Sequence, residues 1–314
     1  MGFLKRLLGG DTGTVPEWAP FDAGGDYTAF IDAVTADLQR RGMTVEVGDG
    51  VVLAHQPETE EPHQLGLSNL SQLCHASERG DWSRIIASHF SSLLSMQGRD
   101  LDALAADYEQ VKPILRVRLM PDESMGGVEL PKTVSRHIAP GILAVLVFDF
   151  PDSTATVDVD HLADWPVDQD GVIEQALDNL ASEPTPLHED VDADDARFRV
   201  WYGDNFYVAT LALRLAGLLP ADTTDALIAV PNRHTLIVTP IVDAGAVAAM
   251  QAIFRMAVQL FRDGPGSISD QPYWWHEGAI VQIPHREDGR KIAVYPPDDF
   301  VALLETVLAR SAGE

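Results

Sequence analysis

The stretch from Asp225 to Asp263 constrains the fold of this 314-residue chain more than any other part of it. It holds two short apolar segments rich in β-branched residues, 226–230 and 235–239, separated by the turn sequence Pro-Asn-Arg-His. Such a pattern predicts a β-hairpin. Apolar residues then recur at helical spacing, which gives one helix face an apolar surface. They are Val247, Met250, Phe254, Ala257, Val258 and Phe261. A hairpin and a helix cannot bury these surfaces alone, so a larger sheet must join them.

Hairpins and helices follow one another along the rest of the chain without a regular strand–helix–strand pattern. Hairpins are predicted at 43–55 and 141–159, and the segment 141–150 is apolar enough for a central strand covered on both faces. These features favour an α+β fold with mainly antiparallel sheets built from hairpins and with helices packed on them. The order helix, hairpin, helix occurs at 26–94 and again at 206–262, which is compatible with two similar halves.

Four other segments give weaker local signals. Residues 121–140 are interpreted as a loop, and the acidic run Glu189–Asp195 as a second loop. Residues 206–219 begin with a strand-like pattern and continue as an Ala- and Leu-rich helix. The chain ends with a hairpin strand, Lys291–Tyr295, and a helix that begins at Asp298.

Length and composition allow one large domain or two modest ones, because 46% of the residues are hydrophobic and can form a sizeable core. The Pro-, Gly- and Asp-rich residues within 1–24 predict a flexible lead-in. We expect an N-terminal α+β subdomain at 25–110 and a main α+β domain at 111–284. Residues 285–314 are expected to add a C-terminal hairpin strand and helix.

Cys74 is the only cysteine, so no disulfide can form within the chain, and a reducing cytoplasm is the expected location. His75 follows it, but adjacent residues on a helix point in different directions, which disfavours a catalytic pair. A buried structural thiol is the preferred interpretation.

The formal net charge of −26 opposes binding of DNA or RNA, because a nucleic-acid surface needs a positive field to engage phosphates. No run of 18 apolar residues is present, so no transmembrane segment is expected. Residues 2–9 are weakly amphipathic and could contact a membrane surface. A frayed terminal turn is the preferred interpretation, because so few residues bury little area.

Sixteen acidic residues fall between Asp149 and Asp204, but none of them completes a metal-binding motif. The acidic run that ends at Asp195 lacks the glycine of a calcium loop and has Trp201 where a glutamate is needed. His276-Glu277 lacks the second histidine of a zinc-protease motif. The sequence also lacks serine-hydrolase, dinucleotide-binding and phosphate-loop motifs. We therefore predict no metal, no cofactor and no catalytic residue.

One part of the chain departs from the general acidity. Its basic residues are Lys112, Arg116, Arg118, Lys132 and Arg136. Arg116 and Arg118 are two residues apart on a predicted strand, so their side chains point to the same face. Clustered guanidinium groups can bind a carboxylate or a phosphate, which makes this cluster a candidate anion-binding site. The alternative is that these residues pair with the excess of acids or cover an exposed sheet face.

The sequence Tyr273-Trp274-Trp275 lies on another predicted strand. Adjacent strand residues face opposite sides of a sheet, so we expect at least one tryptophan to be exposed or to contact a partner. Trp274 and Trp275 are therefore candidate interface residues.

Several short segments occur in a characteristic order along the chain. They are Pro113-Ile114-Leu115-Arg116, the strand 143–150, Ala176–Leu180 with Asn179, Gly203–Tyr207, and Ile228-Ala229-Val230-Pro231 through Ile237. In this order they resemble the YtpQ-like bacterial proteins (domain of unknown function 1444), over residues 25–284 in layout. The resemblance implies a cytosolic α+β protein of a family with no assigned activity. It supplies no catalytic residues.

Because no catalytic motif is present, the favoured hypothesis is a binding or interaction protein that contacts another protein or a peptide through its sheet. The alternative is an enzyme, a hydrolase or a transferase, acting on an anionic small molecule through Arg116, Arg118 and Arg136. Convergence of these three side chains in one pocket would favour the enzyme. A partner retained by the chain, with no turnover of a substrate, would favour the binding protein.

Overall fold

A computed structural model gives the structure of this chain and describes residues 15–16, 18–22, 24–56, 62–96, 99–122, 132–151, 153–193, 196–288 and 291–311. Helices and mostly antiparallel sheets build the fold, which confirms the α+β class. The chain divides into two compact units, Met1–Arg99 with Arg262–Pro265 and Asp100–Phe261 with Gly266–Glu314. No helix in the described ranges has both the length and the apolar surface that a membrane crossing requires.

The first unit is a small α+β structure around one apolar core. Its elements are α1 (Gly24–Arg40), β1 (Thr44–Val47), β2 (Val51–His55), β3 (His63–Gly66), α2 (Ser68–His75) and α3 (Trp82–Met96). The strands form an antiparallel sheet in the order β1-β2-β3, so the hairpin predicted at 43–55 is confirmed and gains a third strand. Each helix buries apolar side chains in the core, among them Phe30, Leu70 and Phe90.

The lead-in predicted as flexible lies largely outside the described residues, and residues 2–9 do so entirely. Its described part packs on the first unit, where Phe21 is buried with its ring 5.4 Å from that of Trp82. The unit ends at Arg99, whereas the sequence suggested a boundary at residue 110. Residues 285–314 group with the second unit.

The second unit contains two larger sheets, a small hairpin and the helices that cover them. Its strands are β4 (Leu115–Pro121), β5 (Ser135–Ala139), β6 (Ile142–Asp149), β7 (Thr154–Thr156), β8 (Leu187–Ala193), β9 (Ala196–Tyr202), β10 (Asp225–Ala229), β11 (Thr235–Pro240), β12 (Pro272–His276), β13 (Ala279–Gln282), β14 (His285–Asp288) and β15 (Lys291–Val294). Its α-helices are α4 (Leu101–Ala105), α5 (Tyr108–Val111), α6 (Gln169–Ala181), α7 (Gly245–Asp263) and α8 (Asp298–Ser311). Short 3₁₀ segments lie at Lys112–Ile114, Val159–Asp164 and Ala209–Gly217.

The hairpin predicted between 226 and 239 forms the centre of the larger sheet. This six-stranded sheet has the order β13-β12-β10-β11-β9-β8, and every neighbouring pair is antiparallel. β10 and β11 pair with Ile228 opposite Val238, which confirms the hairpin, and α7 follows it as predicted. Every residue of β10 is buried, because apolar cores cover both faces of the sheet.

The second sheet has β6 at its centre, with β4 on one side and β5 and β7 on the other. Phe148 on one face of β6 joins the core that this sheet shares with the six-stranded sheet. Val145 and Val147 on the other face are buried together with Tyr207. The prediction of a central strand covered on both faces is therefore confirmed.

Three local interpretations of the sequence are wrong. Part of the loop expected at 121–140 is the strand β5, which a bulged pairing with β6 stabilises. The described part of the acidic loop Glu189–Asp195 is the edge strand β8, where acids such as Asp190 pair in register with arginines such as Arg199. The segment 206–219 is a turn and a 3₁₀ helix, because non-helical backbone angles within that helix prevent a regular α-helix.

Candidate anion-binding site

Arg116 and Arg118 lie on the same face of β4, as their spacing predicted, and this face points away from the core that the second sheet shares with the six-stranded sheet. The intervening Val117 is buried in that core, which places both arginines on the opposite face of the strand. The same face of β6 carries Val147, which is the register partner of Arg116, and Val145, which is the register partner of Arg118. The two guanidinium groups therefore lie on one side of the second sheet.

Arg136 does not join them, which corrects the convergence expected of an enzyme site. Arg136 is the register partner of Ala144, whereas Arg118 is the register partner of Val145. Adjacent residues of a strand face opposite sides, so Arg136 lies on the other face of the sheet. It is exposed, with Nη1 3.7 Å from an Asp170 carboxylate oxygen.

The two lysines of the predicted cluster have surroundings of their own. Lys112 is half-buried, with Nζ 6.0 Å from the centre of the Tyr108 ring. Lys132 is exposed. Of the predicted cluster, Arg116 and Arg118 therefore share one face of the sheet, and their surroundings differ.

Arg116 is held by the protein itself. Its Nε donates a hydrogen bond of 2.7 Å to Glu183, and its Nη1 donates to the carbonyl oxygens of Pro113 and Leu115, each at 2.8 Å. The second Glu183 oxygen accepts a hydrogen bond of 3.2 Å from Asn205. Arg116 therefore connects β4 to the end of α6 and, through Glu183, to the loop that contains Asn205. Glu183 also balances the charge of Arg116.

Arg118 has a different environment. Its Nη1 donates a hydrogen bond of 2.7 Å to the Thr154 hydroxyl oxygen, and its Cζ lies 5.7 Å from the centre of the Phe206 ring. The Nε atom is enclosed and has no hydrogen-bond acceptor among the described residues. Burial lowers the pKa of Arg118 despite the opposing effects of Tyr207 and Asp149.

Arg233 is the second arginine of the site, and sequence reasoning missed it. It lies in the turn between β10 and β11, and its Cζ is 4.3 Å from the centre of the same Phe206 ring. Burial, followed by the charge of Arg118, lowers the pKa of Arg233 to about 10. The two guanidinium groups thus lie beside one aromatic ring, near enough for the charge of Arg118 to act on Arg233. We call Arg118 and Arg233 the guanidinium pair.

His234 fixes the orientation of Arg233. The His234 Nδ1 is 3.0 Å from the carbonyl oxygen of Gly203, so Nδ1 carries the proton and donates it there. The other ring nitrogen, Nε2, then accepts a hydrogen bond of 3.0 Å from Arg233 Nε. Only a neutral imidazole can make both bonds. Burial and then the Arg233 charge lower the pKa of His234 below its ordinary value, which favours that neutral form.

Two chain segments that are distant in sequence meet to build this arrangement. The Gly203 amide donates to the His234 carbonyl oxygen at 3.3 Å, and the Ala209 amide donates to the Arg233 carbonyl oxygen at 3.2 Å. The Asn232 side chain stabilises the hairpin turn by accepting a hydrogen bond of 3.0 Å from the His234 amide. Asn205 stabilises its loop in the same way, because its side-chain oxygen accepts a hydrogen bond from the Tyr207 amide. These bonds hold Phe206 beside Arg233.

Asp149 is a carboxylate that acts electrostatically on Arg118. One of its oxygens accepts a hydrogen bond of 2.6 Å from the Tyr207 hydroxyl. Burial, and then this hydrogen bond, raise the pKa of Tyr207. The tyrosine therefore stays protonated at neutral pH and Asp149 stays an acceptor.

The guanidinium pair is unusual in a chain with 48 acidic and 22 basic residues. Many other arginines have a carboxylate oxygen within 4.0 Å. They are Arg40, Arg41, Arg79, Arg84, Arg116, Arg136, Arg197, Arg199 and Arg214. Within the part of the chain that the structure describes, neither Arg118 nor Arg233 has such a partner. The site can therefore receive an anion from outside the chain.

The tryptophans proposed as interface residues are both buried, which corrects that expectation. Trp274 and Trp275 do face opposite sides of the sheet, but each side carries an apolar core, and their exposures are 6% and 5%. The Trp274 ring nitrogen donates a hydrogen bond of 2.9 Å to the buried Asp225. Asp225 also accepts hydrogen bonds from Thr224 and from His276 Nδ1. The two tryptophans stabilise the sheet and offer almost no surface to a partner.

The fold defines an α+β protein in which Arg118 of the second sheet and Arg233 of the six-stranded sheet meet at the Phe206 ring. The sequence matches no protein-family model, and comparisons with curated proteins and with solved structures find no match. The resemblance to the YtpQ-like proteins stays a prediction. Across the described ranges, no group of three or more His, Cys, Asp or Glu side chains could hold a metal ion.

Proposed function

We propose that this chain is a binding protein that recognises an anionic group through the guanidinium pair. The observation that supports the proposal is the placement of two half-buried guanidinium groups at one aromatic ring, where neither has a carboxylate partner among the described residues. Removing a charge from water without pairing it is strongly unfavourable. A ligand that binds the folded state and supplies the missing negative charge would therefore stabilise the protein.

Binding fits the surrounding side chains better than catalysis does. His234 uses both ring nitrogens in hydrogen bonds, so the lone pair of its Nε2 is already occupied by the Arg233 Nε–H. A general base needs an unoccupied lone pair within reach of the proton that it removes. Groups engaged in this way suit the fixed recognition of an anion, and they support the binding protein over the hydrolase or transferase.

The proposal includes a protein or peptide as the source of the anionic group. An acidic side chain or a terminal carboxylate would present the same chemistry as a small molecule. Phe206, which is 40% exposed, gives such a ligand an apolar surface next to Arg233. The buried lone cysteine, Cys74, supports a reducing cytoplasm as the location.

Thermal unfolding in the presence of a panel of anions tests the proposal. Acetate, benzoate, phosphate and sulfate are compared at constant ionic strength on four proteins: wild type, Arg118→Met, Arg233→Met and the double variant. The control is Arg136→Met, because Arg136 is exposed and lies on the opposite face of the sheet. Saturation at a hundredfold excess over Kd corresponds to about 2.7 kcal/mol of added stability.

We expect at least one anion to raise the melting temperature of the wild type and of the control by the same amount. The double variant should show only the smaller increase that sulfate and phosphate give to any protein through exclusion from its surface. Equal increases for all variants, or no increase with any anion, would show that the guanidinium pair is not a ligand site.

A further inference from the structure

We infer that the anionic group is a carboxylate, that the terminal nitrogens of Arg233 hold its two oxygens, and that His234 is the positioning residue for that guanidinium. This inference rests on the proposed function and deepens it. It follows from the N–H groups of each arginine that make no hydrogen bond to a described residue, and from the charges around the two side chains.

Arg233 has one edge of its guanidinium group engaged within the chain. Its Nε–H is engaged by His234 Nε2 at 3.0 Å, so the edge of the guanidinium that includes Nε is occupied. The two terminal nitrogens, Nη1 and Nη2, have no acceptor among the described residues. They present two parallel N–H groups at the spacing of the two oxygens of a carboxylate. Arg233 can thus bind both oxygens of a carboxylate through its two terminal nitrogens.

Arg118 can offer fewer hydrogen-bond donors to a ligand than Arg233 can. Its Nη1 already donates to Thr154, and its Nε is enclosed, so only the remaining hydrogens of its terminal nitrogens can reach a ligand. Both arginines lie beside Phe206, with Cζ of Arg118 at 5.7 Å and Cζ of Arg233 at 4.3 Å from the ring centre. The site therefore provides one complete pair of donors, on Arg233, and a supporting charge, on Arg118. This asymmetry suits a flat anion with two oxygens.

The local charge also favours a single negative charge on the ligand. Asp149 acts on Arg118 and Glu183 balances Arg116, whereas Arg233 has no carboxylate oxygen within 4.0 Å among the described residues. Asp204 acts on His234 but is exposed and screened by water. One positive charge is left to be matched. A phosphate monoester carries about −1.5 to −2 at neutral pH and would be repelled more strongly by a chain of net charge −26.

His234 makes this preference depend on pH. The groups that act on its ring are Arg233 on its own turn, Asp204 and the carbonyl oxygen of Gly203 on the facing loop, and Asn205 through its backbone. A protonated imidazole can no longer accept the Arg233 Nε–H, so the donor pair loses its fixed direction. It also adds a positive charge, which improves binding of a dianion. Both effects lower the selectivity for a carboxylate over a dianion.

Isothermal titration calorimetry of the full chain with benzoate, acetate and sulfate tests the inference. At about pH 7.5, where histidine with its ordinary pKa of about 6.5 is neutral, we expect benzoate to bind at least tenfold more tightly than sulfate. Arg233→Lys keeps the charge but has no paired donors, so it should lose most of this preference. His234→Gln retains an acceptor for Nε–H without titrating, and it should keep the preference within about threefold.

A second measurement uses a pH series that runs from about pH 7.5 to well below the ordinary histidine pKa of about 6.5, because burial lowers the pKa of His234. It separates positioning from a purely structural role. The ratio of sulfate to benzoate dissociation constants should fall in the wild type and stay constant in His234→Gln. Tighter binding of sulfate than of benzoate at pH 7.5, or a preference for benzoate that Arg233→Lys leaves intact, would overturn the inference while leaving the proposed function in place. Absence of binding by any of the three anions would instead remove the proposed function.

Discussion

Gly266 leaves the space that the Arg233 side chain occupies. Its backbone has a φ of +75°, a conformation that L side chains rarely adopt. A Cβ at this position would lie 2.6 Å from Cδ and 2.9 Å from Nε of Arg233. The Gly266 carbonyl oxygen also accepts a hydrogen bond of 3.0 Å from the Arg233 amide. The orientation of one member of the guanidinium pair therefore depends on a glycine in a different loop.

Replacing this glycine should affect both stability and the site. We expect Gly266→Ala to lower the free energy of unfolding by about 2–4 kcal/mol, since it combines backbone strain with a clash against a packed side chain. The matched control is Gly278→Ala, because Gly278 has a φ of +92° but a Cβ there would meet no described residue within 4 Å beyond its chain neighbours. The control should lose only about 1–2 kcal/mol and should bind anions like the wild type. Urea unfolding and calorimetry measure the two effects. Equal losses in both variants would contradict the role given to Arg233 packing.

The two arginines of β4 should respond in opposite ways to truncation. Arg118→Met removes an enclosed charge that has no carboxylate partner among the described residues, so the stability should stay within about 1 kcal/mol of the wild type or rise above it. Arg116→Met removes three hydrogen bonds, one to Glu183 and two to carbonyl oxygens, and it should cost about 1–3 kcal/mol. Urea unfolding without added anions provides the comparison. A larger loss for Arg118→Met than for Arg116→Met would show that Arg118 is mainly a structural residue.

Asp225 should be among the most sensitive polar positions of the larger sheet. Asp225→Ala leaves the Trp274 and His276 ring N–H groups without their acceptor, so we expect a loss of about 2–4 kcal/mol. Asp222→Ala, at an exposed position nearby in sequence, should stay within about 0.5 kcal/mol of the wild type. Similar losses for the two substitutions would argue against the buried hydrogen bonds as the cause.

The Asp225 contribution should also depend on pH with a defined sign. Burial alone would raise the pKa of Asp225, but hydrogen bonds from Thr224, His276 and Trp274 outweigh it and lower the pKa below its ordinary value. The folded state then binds fewer protons than the unfolded state, so this contribution is complete above the ordinary aspartate pKa of about 3.9. It is lost as the pH falls through the lower, folded value. The stability difference between wild type and Asp225→Ala should therefore be constant near neutrality and shrink in acid.

Cys74 should be inert in the folded protein. It is fully buried, and burial raises its pKa to about 12, so almost no thiolate exists at neutral pH. A thiol-exchange reagent such as Ellman's reagent should release less than about a tenth of one equivalent over an hour in buffer, since exchange requires the thiolate. One full equivalent should appear in concentrated urea. Rapid reaction under native conditions would show that this part of the first unit opens readily.

Local sequence patterns were sufficient for the hairpins and helices whose apolar residues repeat clearly. The hairpin of β10 and β11 and the helix α7 are examples, because turn residues and periodicity act over a few positions. β5 was not predictable in this way, since its stability comes from pairing with β6. β8 was also misjudged, because acidic residues on an edge strand are typical of an exposed loop as well.

The site was harder to predict than the fold. Arg116 and Arg118 could be placed on one face from their spacing alone, and Arg136 could be separated from them only with the register of β5 on β6. Arg233 became part of the site because a hairpin turn and the Phe206 loop meet, which no local pattern reports. Trp274 and Trp275 were expected to reach the surface because alternation cannot show that a sheet has an apolar core on each side.

The two cores on either side of the six-stranded sheet should keep the ligand site rigid before a ligand binds. β10 and β11 can open only if both layers of packing separate, so their amide protons should be the slowest of this unit to exchange with deuterium. The Arg233 turn is the direct continuation of these strands. Little conformational freedom remains there to be lost when a ligand arrives, and the entropic penalty of association is correspondingly small.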